Sequence, residues 1–303
     1  MGLLLVWSRG ERHARRATLG QKVEKSESQK VRKSESLKVG RSEGRKVGRS
    51  ESRKVGRLEG WKVGRLEGWK VEQSEGLMHK DMEVTKEQLF GKVDPARHDD
   101  FVLVDVRYAN HAGMYMRREA YAAFVEMHAA AARDGVALTI ISAMRTFDHQ
   151  RRIWENKWHG RQILHGNLYA TSIDDPVDRS LEILRFSAMP GTSRHHWGTD
   201  IDLNSLNNSY FESGQGRRVY EWLQTHAASY GFCQPYTSHG AGRTAGYEEE
   251  KWHWSYKPVA SQYLKAFREK VSIEDITGFD GWETAREIGV IERYVLDVNA
   301  DCR

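Results

Sequence analysis

Two short stretches of this chain hold the residue types of a divalent-metal hydrolytic centre. The first is Ser193-Arg194-His195-His196-Trp197-Gly198-Thr199-Asp200-Ile201-Asp202, in which a histidine precedes an aspartate by seven residues across a glycine-containing turn. Such a turn can fold two ligands onto one ion. The second, Glu248-Glu249-Glu250-Lys251-Trp252-His253-Trp254-Ser255-Tyr256, offers a third imidazole with a carboxylate three positions before it. A catalytic zinc takes three protein ligands and keeps one position for water, and neutral imidazole and carboxylate are suitable donors. The ion acidifies that water towards a pKa of ~7, so that a nearby carboxylate outside the ligand set can take the proton. With 13 histidines in the chain, either segment alone could meet no metal at all. The expectation rests on their joint pattern.

A third segment, Ser142-Ala143-Met144-Arg145-Thr146-Phe147-Asp148-His149-Gln150, completes an ordered set of motifs. Ser-x-x-Arg-Thr-x-x-x-Gln, then Ser-x-His with Gly and Asp at fixed offsets, then Glu-x-Trp-His resembles the zinc carboxypeptidases and dipeptidases of the VanY and VanX type. These cleave cell-wall peptides ending in D-alanine and share their fold with the Hedgehog signalling domain. The resemblance covers about residues 100 to 265. It implies a zinc-dependent D-alanyl-D-alanine metallocarboxypeptidase acting on peptidoglycan stem peptides, with His195, Asp202 and His253 holding Zn2+. It also implies Glu250 as general base and Arg145 as the group that stabilises the oxyanion or anchors the substrate. A guanidinium at a strand end suits that last task, because its donors are fixed and its charge does not titrate away.

Two positions depart from the family pattern. Asp200 stands where the family usually has a small residue; two residues apart in a strand, Asp200 and Asp202 share a face, so Asp200 is either a competing ligand or a like charge beside Asp202. The seven-residue offset from His195 favours Asp202. Lys251 replaces a frequent proline and keeps the Glu250–His253 pair while losing a rigid backbone position. His196 is expected to point away from the metal, Ser193 to hydrogen-bond around the site, and Glu248 and Glu249 to be solvated. Trp197, Trp252, Trp254 and Tyr256 could wall the cleft or pack in the core.

The elements that must position these groups are legible in outline. Phe101–Val104 and Val136–Ile141 read as strands, the latter delivering Ser142 to Arg145 at its carboxyl end. Residues 117–133 read as a helix closed by Gly135, with Ala120, Phe124, Met127 and Ala131 on one face. Further helices are expected over 148–157, over 217–230 closed by Gly231, and over 260–270, and further strands at 201–203 and 252–254. Residues 159–192 are weakly patterned and read as an insertion bordering a cleft. Mixed strands and helices without regular alternation predict an α+β domain, and the resemblance makes it Hedgehog/DD-peptidase-like, a central antiparallel sheet flanked by helices.

Charge and repeats divide the chain into 1–77 and 78–303. Of 47 Lys+Arg and 42 Asp+Glu, residues 1–77 hold 20 and 10, leaving 27 and 32, so the tail is +10 and the remainder −5. Residues 22–77 are seven octads, each opening Lys-Val. A period of eight fits no helix, the glycines oppose regular structure, and the apolar content is too low to offset ordering, which predicts disorder. Two other readings stay open: a polyanion-binding arm, weakened by its interleaved Glu, and translated repetitive DNA ahead of a true start at Met78 or Met82. No run approaches the roughly 18 apolar residues of a membrane span, and Gly2–Trp7 is shorter than a secretory apolar region of ~7–15 residues. Two cysteines, Cys233 and Cys302, read as buried or incidental thiols. The expected partner is a stem peptide, with no nucleic acid, no stable membrane insertion and a monomeric chain. The substrate implies the cell envelope or periplasm, although no export signal is visible. A catalytically inactive, zinc-stabilised binding module of the same fold is the competing reading; Glu250 and Arg145 argue against it, since a structural site needs neither.

Overall fold

In a strand, alternate side chains face opposite ways, and here that alternation separates grease from chemistry. Strand β4 (Asp200–Leu203) sends Ile201 and Leu203 into an apolar cluster, which leaves Asp200 and Asp202 on the other face. Its neighbour β6 (His253–Tyr256) does the same, burying Trp254 in that cluster and setting His253 and Ser255 beside the two aspartates. The computed structural model describes residues 83–240 and 242–303. The octad repeats, and the disordered tail expected over 1–77, lie outside them.

Strands β3 (Ile140–Ser142), β4, β6 and β5 (Phe232–Cys233) form an antiparallel sheet in the order β3-β4-β6-β5. A separate hairpin pairs β1 (Phe101–Leu103) with β2 (Tyr115–Arg117). Helices α2 (Arg118–Arg133) and α5 (Gly214–His226) line the apolar face of the sheet through Phe124, Met127, Val219 and Leu223. A second cluster gathers α1 (Lys86–Leu89), α3 (Phe147–Trp158), α4 (Pro176–Ile183), α6 (Lys257–Lys270) and residues of the carboxyl-terminal stretch 271–303, with Trp154, Tyr263 and Phe267 at its centre. The architecture is the α+β class expected, with helices around an antiparallel sheet.

Three local expectations need correction. The strand expected over 136–141 begins only at Ile140, because its partner β4 ends at Leu203 and Asn204 turns away with a positive φ of 64°. The Asn204 side chain then substitutes for a strand, accepting from Thr139 N–H and donating to the Ala137 carbonyl. Within 159–192, Asp175 caps an eight-residue helix, α4, that starts on Pro176, so this segment is not a structureless insertion. The cysteines are not free thiols: Cys233 and Cys302 form a disulfide with their Cα atoms 5.6 Å apart. Asn299 brings them together by donating its backbone N–H to the Pro235 carbonyl and its side-chain amide to that of Gln234, which lays the carboxyl terminus against β5.

Candidate metal centre

Register builds this site. Asp202 lies directly across from His253 and Asp200 directly across from Ser255, while Ser142 on the other side is paired with Asp202. The Asp202 side chain is thus fixed in the middle of the sheet's polar face with one motif on each flank. His195 arrives from the 3₁₀ turn Arg194–Trp197, which ends at Gly198 with φ of 70°. A Cβ there would stand 2.5 Å from the Phe101 ring, so the turn that returns the chain from His195 to β4 depends on glycine.

The structure brings His195, Asp202 and His253 together: one donor atom from each lies within 4.8 Å of the others, and all three residues are buried. Both imidazoles are oriented from behind. His195 Nδ1–H donates to the Ala143 carbonyl at 2.8 Å, which turns its Nε2 toward the cluster. His253 Nε2–H donates to Asp200 Oδ1 at 2.9 Å, which turns its Nδ1 the same way. His195 Nε2 approaches Asp202 Oδ2 to 3.3 Å, and His253 Nδ1 approaches Asp202 Oδ1 to 3.3 Å. Neither His195 Nε2 nor Asp202 Oδ1 has a hydrogen-bond partner. A buried acceptor without a partner is costly. Two imidazole nitrogens and a carboxylate oxygen left facing one another are the donor set a zinc ion takes, so these residues fit that ion.

The electrostatics point the same way. Burial brings the His195 imidazole down to about 4, so it is a neutral donor at pH 7. Burial works against the Asp202 carboxylate as well, but His195 and His253 outweigh it and hold the group well below the ordinary carboxylate range. For His253, burial is outweighed by the neighbouring carboxylates of Asp200, Asp202 and Glu250, and the imidazole is held well above its usual value. Three acidic groups around one imidazole call for positive charge at its Nδ1.

Glu250 is buried, with Oε2 3.2 Å from His253 Nδ1, and its backbone is held by Tyr236 and Gln234. Burial raises its carboxyl above the usual value. Arg145 sits at the end of β3 and reaches Asp202 Oδ2 with Nη2 at 3.4 Å and Gln150 Oε1 with Nη1 at 3.0 Å; its buried Nε has no partner. Its backbone is pinned on both sides, donating to the His195 carbonyl and accepting from His196 Nδ1–H. His196 therefore points away from the ligand cluster, as expected, and its Nε2 accepts from Gly191 N–H. All five residues read as chemical from the sequence thus converge.

The remaining expectations divide. Trp197 packs on Tyr263 and Phe267, and Trp254 belongs to the core under the sheet, so neither walls a cleft. Trp252 meets the partly exposed Phe186. Ser193 is buried, and its carbonyl accepts from His196 N–H. Asp200 lies behind His253, at its Nε2, and outside the cluster that His195, Asp202 and His253 form. Lys157 was not singled out. It extends from α3, one turn beyond Trp154 and two beyond Gln150, donates to Ser187 Oγ, and is brought down to about 8 by burial and by Arg145. The only signal for it is the seven-residue spacing from Gln150, by way of Trp154 at i+4, which places it on the same helix face.

Residues 113–259 match the family model described as VanY, D-alanyl-D-alanine carboxypeptidase, and this range contains every residue of the cluster. The domain that holds this range belongs to that family. Among curated relatives it is 29% identical over 175 residues to the putative carboxypeptidase YodJ of Bacillus subtilis, covering 55% of each chain. It is 26% identical over 146 residues to a D-alanyl-D-alanine carboxypeptidase of Enterococcus faecalis, covering 48% of this chain and 49% of the relative. The chain thus spans about half the length of these relatives. Among solved structures, a vancomycin-resistance D,D-pentapeptidase VanY in complex with Zn(II) is 22% identical with a TM-score of 0.41, over 60% of this chain and 92% of that one. The LdcB LD-carboxypeptidase is 23% identical with a TM-score of 0.43, over 65% and 81%. Membership rests on the match to the sequence family, described as D-alanyl-D-alanine carboxypeptidase.

Proposed function

We propose that residues 78–303 form a zinc-dependent carboxypeptidase domain that removes the terminal D-alanine from peptidoglycan stem peptides. The observation that carries this reading is the convergence of His195 Nε2, Asp202 and His253 Nδ1 with unsatisfied buried acceptors among them, and Glu250 alongside. In this reading His195, Asp202 and His253 hold the ion, which when bound supplies Lewis acidity to water and to the scissile carbonyl. Glu250 takes the proton from the attacking water as the new C–O bond forms. It returns that proton to the departing amine nitrogen as the C–N bond breaks. A base whose carboxyl is raised by burial is better matched to both transfers than an ordinary exposed glutamate. Arg145, with one buried N–H free of partners, is the donor for the developing oxyanion or the substrate carboxylate. A site kept only to stabilise a binding module would have no use for a buried base and a guanidinium at this place.

We place the domain in the cell envelope, where the substrate lies. The Cys233–Cys302 disulfide supports that compartment, because such bonds persist in oxidising surroundings. Among the described residues no helix is long and apolar enough to cross a membrane. The decisive experiment incubates the full chain, with zinc and with chelator, with a stem pentapeptide ending in D-Ala-D-Ala and identifies the released amino acid. Glu250→Gln should keep the metal and lose about 10²–10⁴-fold in kcat/KM. Full activity in that variant, or no zinc-dependent release by the wild type, refutes the proposal.

A further inference from the structure

Asp200 is fully buried, yet it accepts four hydrogen bonds. Arg194 Nε–H and His253 Nε2–H donate to Oδ1 at 3.0 and 2.9 Å, and the Thr199 and Ser255 hydroxyls donate to Oδ2 at 2.6 and 2.9 Å. Arg194, itself without solvent exposure, also donates through Nη2 to Ser255 Oγ at 2.7 Å and lies over the Trp197 ring at 4.5 Å. The register explains why this carboxylate meets His253 from behind. Ser255 is the cross-strand partner of Asp200 and His253 that of Asp202, so Asp200 reaches His253 along the diagonal. The two aspartates on one strand face therefore grip one imidazole at its two nitrogens, Asp200 at Nε2 and Asp202 near Nδ1. Arg194 neutralises Asp200, so the extra carboxylate places no net negative charge behind the ligand set.

We propose that Asp200, clamped by Arg194, Thr199 and Ser255, is a positioning residue that fixes the ring plane and the Nε2–H tautomer of His253 and so aims Nδ1 at the ion shared with His195 and Asp202. The inference rests on the metal-site reading above. It assigns a task to a residue the sequence left between two others, rival ligand and disturbing charge. His195 has only the Ala143 carbonyl behind it, whereas His253, on the strand facing Glu250, has a charged and fully bonded carboxylate. Partners of this kind raise the basicity of a ligating imidazole and restrict its rotation.

The test uses the full chain and zinc alone, with affinity measured by competition against a chromogenic chelator. Asp200→Ala by itself would strand the buried Arg194 charge, so the informative variant is Arg194→Met with Asp200→Ala, which removes the pair together. It should keep the near-ultraviolet circular dichroism of the wild type and bind zinc about 10–100-fold more weakly. Arg194→Met with Asp200→Asn, which keeps an acceptor for His253 Nε2–H, should recover most of the loss. A merely structural role would lower the unfolding midpoint of both variants and leave their zinc affinity equal to that of the wild type, and that result overturns the proposal. A readout free of substitutions is the nitrogen-15 spectrum of the zinc-loaded wild type. His253 should appear as the Nε2–H tautomer with a slowly exchanging proton, and a freely exchanging one is incompatible with the clamp. Wild-type chain that binds no zinc would be a different failure, removing the metal reading and this role with it.

Discussion

Replacing both Cys233 and Cys302 by alanine tests how much the domain depends on its single covalent cross-link. The two residues are 69 apart, and restraining a loop of that length lowers the entropy of the unfolded chain by about 15 cal/mol/K, or about 4 kcal/mol at 25 °C. Strain or residual unfolded structure can reduce the yield, so a loss of about 2–5 kcal/mol is the expected range. The enclosed loop runs from β5 to the terminus and includes Glu250 and His253, so the bond also restrains the strand that carries one of the three residues of the metal cluster. The assay is urea unfolding of both proteins in chelator, because bound metal would stabilise the folded states unequally. The midpoint should fall, and m should rise, since an unfolded chain without the cross-link exposes more surface. Alkylation of the unfolded, unreduced wild type should label neither sulfur. If both sulfurs react, or the substitution costs less than about 1 kcal/mol, well below the loop-entropy estimate, the disulfide does not anchor the terminus as argued.

Other consequences can be measured directly. Because the acidic groups around His253 hold its imidazole charged when no ion is present, zinc must displace a proton there; titration calorimetry at pH 7 in buffers of different ionisation enthalpy should report about one proton released. Lys157 is brought down to about 8 in the fold from an ordinary value near 10.5, so its charged form costs stability at neutral pH, and the cost is relieved as the folded state deprotonates. Wild-type stability should therefore rise relative to Lys157→Met between pH 8 and 10.5; parallel curves would show that burial does not strain this amine. Chelation should abolish turnover while far-ultraviolet circular dichroism stays unchanged, and unfolding on chelation would mark the ion as structural.

The convergence of His195, Asp202 and His253 was legible because it rests on short-range facts: a seven-residue offset across a glycine turn, and a three-residue offset before a strand. Asp200 was legible only in part. Strand periodicity put it on the face of Asp202, but its neutralisation by Arg194 depends on a turn that folds residue 194 back beneath residue 200, and its second oxygen depends on Ser255 from another strand. The disulfide was missed for the same reason, since nothing local marks residues 233 and 302 as neighbours; Asn299 makes them so through contacts near Cys233. Helix α4 was overlooked although Asp175-Pro176 is a start signal, because eight residues carry too few turns for a period to stand out. The strand before Arg145 was overextended for want of a partner, a quantity the hydrophobic run 136–141 does not contain.

Whether the proposed ion would be catalytic or structural turns on where the folding energy resides. Two apolar clusters, one under the sheet and one built from α3, α6 and the carboxyl-terminal stretch, flank the ligand cluster, the first through β4 and β6 and the second through Tyr236, whose ring packs on His253 with centroids 4.8 Å apart. The disulfide adds a third constraint that is independent of the ion. The ligand cluster, by contrast, is a place of local deficit: His195 Nε2, Asp202 Oδ1 and Arg145 Nε are buried without partners, and the Glu250 carboxyl is displaced by burial. Three of the seven buried side-chain polar atoms without a partner among the described residues lie in this cluster, and such deficits suit a pre-organised reactive site, because groups already satisfied by one another would have nothing left for an ion, a water or a substrate. The fold thus supports the site, and the site contributes little to the fold.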